Sequence, residues 1–89
     1  MNFLEARLKV LAALDEAIDI FNDVNLRETI DNPDLDRTFS DLELDSLSAV
    51  QCCLTLEDDL NIDIDPADLA IHDSINKLAK HIAERTSAT

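Results

Sequence analysis

Eighty-nine residues are enough for one small domain with a modest core. Twenty acidic against seven basic side chains leave a net charge of −13, which opposes binding to nucleic acid or to an anionic membrane and points to basic protein partners. The chain has no glycine, so it carries no Gly-rich phosphate loop, no nucleophile elbow and none of the tight glycine turns that a sheet protein of this size would normally use.

With no Trp or Tyr and three Phe, aliphatic side chains must fill the core, and the abundance of Ala and Leu predicts an all-α chain with polar connections. A first helix is expected over about residues 3–21. Asn2 can cap it, with Glu5 three residues on in the manner of a capping box. Leu4, Leu8, Leu11, Leu14, Ile18 and Phe21 recur at steps of three and four, an apolar stripe expected in the core, with Arg7, Lys9, Asp15, Glu16 and Asp19 off it. Charges fall every few residues from the N-terminus, and no apolar stretch is long enough for a signal peptide or membrane span, so a cytoplasmic location is expected; the chain is separately expected to be a monomer.

Residues 22–45 read as a long connection, with Asn32-Pro33-Asp34 as its clearest turn. Unstructured loops of this length are uncommon in small domains. Leu26, Ile30, Leu35, Phe39, Leu42 and Leu44 are therefore expected to tack it down, with a helical turn near Asn25 to Ile30.

The second helix, about 46–60, opens at Asp45-Ser46, either of which can serve as N-cap. At 100° per residue its apolar arc spans roughly 220°, wider than one core face requires. Ala49, Cys52, Cys53, Leu56 and Leu60 form the centre of the arc. At one edge Leu47, Val50 and Leu54 border Gln51, Glu57 and Asp58, which is either a recognition strip or a broad face touching two neighbouring helices. Neighbouring cysteines on a helix point about 100° apart, so Cys52 and Cys53 should be reduced, apolar filler. Asp65, Pro66 and Asp68 signal the start of a short third helix, 66–71, with Ala67 and Leu69-Ala70-Ile71 as a lid on the bundle. Asp73 or Ser74 can cap a fourth helix, about 74–85, with Ile75, Leu78, Ala79 and Ile82 inward, and Thr86 to Thr89 should fray.

Between Thr38 and Asn76 lie ten acids and no Lys or Arg, which favours a docking surface over a merely solvated face. No metal site is expected. Asn61-Asp63-Asp65 is like the oxygen alternation of a calcium loop, but Pro66 stands at the sharp-turn glycine and His72 at the bidentate glutamate. His72 and His81 read as separate, exposed polar residues.

Asp45-Ser46-Leu47, with Phe39 and Leu42 before it and Leu56-Glu57-Asp58-Asp59-Leu60 after it, resembles the acyl carrier protein family. The likeness runs on through Ile62-Asp63-Ile64 and Pro66-Ala67-Asp68-Leu69 to Ile71 and Ile75, so that it covers about residues 38–83, with a looser fit over the first helix. It implies a four-helix bundle with a short third helix and a long first connection. It further implies that Ser46, between Asp45 and Leu47, carries a 4'-phosphopantetheine arm whose thiol holds acyl groups as thioesters. Leu47, Gln51, Leu54, Glu57 and Asp58 would meet partner enzymes through basic docking patches, and Leu56, Ile64, Leu69 and Ile71 would shelter part of the cargo. The implied partners are a phosphopantetheinyl transferase, which brings coenzyme A and Mg²⁺, and acyl-loading and condensing enzymes of fatty-acid or polyketide type; the chain itself would not be an enzyme. This chain departs from the family in having Glu43 where Gly is usual, Ser48 and Gln51 where acids are frequent, and a Phe-to-Leu spacing one residue shorter than is common. Aspartate before the serine favours an acyl over a peptidyl or aminoacyl carrier, which stays the near alternative. The competing class is a non-covalent acidic helical adaptor.

Overall fold

Asn2 opens the fold as an N-cap: its side-chain oxygen accepts the Glu5 N–H at 2.8 Å, one of the donors that a helix start leaves free. In this computed structural model, which describes residues 1–87, α1 (Phe3–Ile18) follows. It stops short of Phe21, where the apolar stripe would carry it. Asp19 turns left-handed (φ 57°), the Asp15 carboxylate takes the Phe21 N–H at 3.0 Å, and Ile20–Asn22 tightens into a 3₁₀ turn.

The buried face of α1 also differs from the stripe. Ala6, Arg7, Val10, Leu11, Ala13 and Leu14 are buried, while Leu4, Leu8 and Phe21 are exposed. At 100° per residue this is a rotation of roughly 60° about the helix axis. It brings the small Ala6 and Ala13 inward, where α1 is sandwiched between two long neighbours and close approach needs small side chains.

The long connection contains α2 (Arg27–Asp31), and Leu26 and Phe39 are its buried anchors, with Ile30, Leu42 and Leu44 half-buried against the core. Next come α3 (Ser46–Leu60), α4 (Pro66–Ile71) and α5 (Ile75–Ser87). α1 packs on both α3 and α5, and α4 lies against α3. The shared core is aliphatic, built on Leu11, Leu14, Leu56, Ile75, Leu78 and Ile82 with Cys52 and Cys53. Burial pushes the two thiols up to about 12 and about 11, so both are inert, protonated filler.

A glycine-free chain must still make left-handed turns. It does so at Asp19, Glu43 and Asn61, with φ between 55° and 57°. Asn and Asp tolerate this region better than other side chains.

At α4 the capping box of Asp65 and Asp68 is complete, but the helix is too short to form the expected lid. Fewer than two turns put only Leu69 inward, and Ala67, Ala70 and Ile71 are exposed, Ile71 at 70%. α5 is capped by Ser74, whose buried hydroxyl takes the Lys77 N–H and donates to Asp36 Oδ2 at 2.6 Å. Thr86 and Ser87 continue this helix instead of fraying, and Ala88 and Thr89 lie outside the described residues. No helix among the described residues is long and apolar enough to cross a membrane.

Candidate functional site

The start of α3 is set by the segment before it, which is stitched to the α4–α5 junction. Phe39 N–H donates to Asp73 O at 2.9 Å and Ile75 N–H to Arg37 O at 3.1 Å, the two bonds of a single antiparallel bridge between Thr38 and Ser74. Leu42 N–H to Thr38 O and Leu44 N–H to Phe39 O then curl the chain tightly. The left-handed Glu43 completes that curl and delivers Asp45 in extended conformation (ψ 176°).

Asp45 is the N-cap. Its carboxylate accepts the Ser48 N–H at 2.7 Å, and that bond holds the Asp45 carboxyl below its ordinary value. Because the cap is supplied by Asp45, Ser46 is released from the task. Ser46 is the first residue of α3, exposed, and among the described residues no group engages its hydroxyl in a hydrogen bond. An open cleft beside it is lined by Phe39, Leu44, Ala49, Pro66, Leu69 and Ala70. The hydroxyl on a rigid helix start, open to solvent, fits a covalently attached group.

Leu47 lies next to Ser46 and is 79% exposed. Val50 and Leu54 continue the same outward strip, Leu54 at 55%. Gln51 and Asp58 are exposed beside it, with Gln51 Nε2 within 3.4 Å of Thr55 Oγ1. Glu57 is different: half-buried, it accepts the Ile64 N–H at 3.3 Å and so helps to hold the loop after α3. The four residues expected to shelter cargo are not alike. Leu56, Ile64 and Leu69 are buried and Ile71 is exposed; of the four, Leu69 lines the cleft beside Ser46.

Two features escape sequence reasoning. Arg7, placed off the stripe by its charge, is 3% exposed. Its guanidinium donates to the carbonyls of Thr29 (2.5 Å), Ile30 (3.1 Å), Asn32 (3.2 Å) and Leu35 (3.1 Å) and to Asn76 Oδ1 (2.8 Å), tying the long connection to α1 and α5. The signal was its spacing of three, four and seven residues from Val10, Leu11 and Leu14. The second feature corrects an expectation: His72 and His81 are stacked, with ring centroids 4.0 Å apart. The turn between α4 and α5 folds the end of one against the side of the other, a proximity that sequence spacing alone does not reveal.

The family model described as phosphopantetheine attachment site matches residues 9–82. The match covers most of the chain, from the middle of α1 through the buried length of α5, and the chain belongs to this family of phosphopantetheine carrier domains. Comparison with curated proteins and with solved structures finds no match. Membership defines a domain that carries a covalently attached phosphopantetheine rather than performing catalysis, and that is modified by a phosphopantetheinyl transferase.

Proposed function

We propose that this chain is an acyl carrier protein of fatty-acid or polyketide type, in which Ser46 is the residue that bears the arm. The observation that carries the reading is the division of labour at the head of α3, where Asp45 caps the helix and leaves the exposed Ser46 hydroxyl unengaged. Ser46 Oγ is then the phosphoryl acceptor: it loses its proton and attacks the pantetheine-bearing phosphorus of coenzyme A, forming a phosphodiester to 4'-phosphopantetheine as the pyrophosphate P–O bond breaks and 3',5'-adenosine bisphosphate leaves. The transferase supplies Mg²⁺ and the catalytic groups. Asp45 holds the helix start in place, and Leu47 stands beside the attachment point as an apolar contact.

The exposed strip of Leu47, Val50 and Leu54, with Gln51 and Asp58 along its side, is the surface offered to partners. Apolar anchors set among acids suit enzymes with an apolar pocket inside a basic patch, since opposite charge steers encounter while burial holds the complex. Glu57 contributes charge to that surface as well as its bond to Ile64.

The test is to incubate the protein with coenzyme A, Mg²⁺ and a broad-specificity phosphopantetheinyl transferase and to weigh it intact. The expected outcome is a single added arm, absent from Ser46→Ala. An unchanged mass, or an arm that persists in Ser46→Ala, would refute the assignment.

A further inference from the structure

The junction of α4 and α5 holds a pair of titratable rings that the carrier reading leaves unused. His72 is the residue at which α4 ends, its N–H donating to Asp68 O at 2.8 Å, and it stacks on His81 of α5 with 16° between the ring planes. His81 Nε2 is buried and has no hydrogen-bond partner among the described residues. We infer that the stacked His72–His81 pair is an acid-sensitive latch between α4 and α5, closed while the rings are neutral and opened by protonation, which frees the end of α4. This inference stands apart from whether Ser46 carries an arm.

Two physical arguments support it. A neutral imidazole can leave one ring nitrogen as a bare lone pair, whereas imidazolium presents a donor at both nitrogens. Protonated His81 would bury an N–H at Nε2 with nothing to accept it, and a buried unsatisfied donor is disfavoured. Charging both rings would also set two like charges face to face at 4.0 Å.

The surrounding charges are mixed. Asp68 on α4 and Glu84 on α5 draw a proton toward His81, while His72 and Arg85 oppose it. Arg85 is itself tied to the Asp63 carbonyl in the loop after α3. Burial is the largest influence on His81 and lowers its pKa from 6.5, so the neutral state is favoured by the fold.

α4 is the element that would respond. Helices this short are marginal by themselves and depend on tertiary contacts. α4 has six residues and one buried side chain, Leu69, and its last residue, Ile71, faces solvent. The contact of His72 with His81 fastens its far end from the side of α5, beside the Phe39 N–H to Asp73 O bond that holds the next residue. Since Leu69 and Ala70 also line the cleft beside Ser46, opening the latch would loosen one wall of that cleft.

The test is a nuclear magnetic resonance titration of the full chain from about pH 7.5 to about 5.5, a window in which ordinary carboxylates stay ionised. The His81 ring should titrate with a midpoint below 6.5, and the amides of Leu69, Ala70 and His72 should shift with that same midpoint. Hydrogen exchange at the His72 amide should speed up at least tenfold, relative to its intrinsic rate, below the midpoint. In His72→Gln the His81 midpoint should rise and the coupled shifts in α4 should disappear. His81→Phe, which keeps a ring but cannot take a proton, should leave the α4 amides insensitive to pH, and it serves should His72→Gln fold poorly. A His81 midpoint at or above 6.5, or α4 amides that ignore it, would overturn the proposal.

Discussion

Arg7 Nε donates to Asn76 Oδ1 at 2.8 Å across the interface of α1 and α5, and the same guanidinium gathers carbonyls from both sides of the Asn32-Pro33 turn. Asn76 in turn donates to the carbonyls of Pro33 and Leu35, so one pair of side chains closes the long connection at its middle. Arg7→Met keeps the apolar stem and removes every donor. Leaving buried carbonyls unsatisfied should cost about 2–3 kcal/mol. Arg7→Lys should recover little, because an ammonium lacks the planar fork that reaches several carbonyls. Chemical denaturation of the three proteins checks this, and a stable Arg7→Met would show that the network is dispensable.

Glu43 is the costly one among the left-handed residues, since it has neither the short side chain of Asn61 or Asp19 nor the freedom of the glycine usual at this place in carrier proteins. Glu43→Gly should relieve a conformational penalty of about 1–2 kcal/mol, offset in part by about 0.4–1 kcal/mol of added freedom in the unfolded chain. A net rise in stability of about 0.5–1 kcal/mol is expected. The readout is the urea midpoint of the variant against the parent; a lower midpoint would mean that the Glu43 side chain makes a compensating contact.

The cap at Asp45 gives a pH dependence with a definite sign. The Ser48 N–H holds the carboxyl below 3.8, so its folded pKa lies under its unfolded one. The ionised cap therefore contributes fully above 3.8, and that contribution is lost as pH falls through the folded value. Asn caps nearly as well but cannot ionise. The melting temperature of the parent should exceed that of Asp45→Asn at about pH 6, and the gap should close toward about pH 2. A gap that holds constant across the range would contradict the assignment.

How much of this could be read from the sequence differs from element to element. The placement of α3 follows from helical spacing and a cap signal, but spacing allows either Asp45 or Ser46 as the cap and either solvent or a neighbouring helix against Leu47, Val50 and Leu54; the fold gives the cap to Asp45 and turns the three apolar side chains outward. α1 carries the same kind of pattern, yet its phase differs from the stripe. Leu4 and Leu8 are equal in hydrophobicity to Leu11, and only packing between α3 and α5 decides that Ala6 and Ala13 go in. Arg7 was hidden by its charge, since its partners are carbonyls 22 to 28 residues away that no local rule pairs with it. The His72–His81 stack depends on the path of the α4–α5 turn, which is likewise tertiary.

The acidic field should make stability sensitive to salt. Lys9 reaches Asp59 at 3.0 Å and Lys77 reaches Asp73 at 3.2 Å, but both pairs are well exposed, and such pairs contribute little. The stretch from Thr38 to Asn76 has no Lys or Arg of its own against ten acids. Sodium chloride or millimolar Mg²⁺ should raise the melting temperature by screening that repulsion. Scanning calorimetry at low and moderate ionic strength decides it, and indifference to both salts would mean that the acids are compensated locally.

The recognition strip is tested by separating charge, apolar contact and core. Asp58 is the suitable site for charge reversal, because it is exposed, whereas Glu57→Lys would also take away the acceptor of the Ile64 N–H. Asp58→Lys should change stability by no more than about 0.5 kcal/mol. Loading of Ser46 by a transferase should nevertheless slow, and the deficit should shrink as salt is added, because steering acts mainly on the association rate. Leu54→Ala removes a side chain that is 55% exposed, so loading should slow without that salt dependence while the fold is nearly unaffected. Leu56, two residues on, is fully buried, and Leu56→Ala should cost about 2–5 kcal/mol. The decisive comparison is thermal melting of the two leucine variants. If Leu54→Ala melts as low as Leu56→Ala, Leu54 belongs to the core and the strip loses its apolar centre; if it melts near the parent and loads slowly, the outward face of α3 is where partners bind.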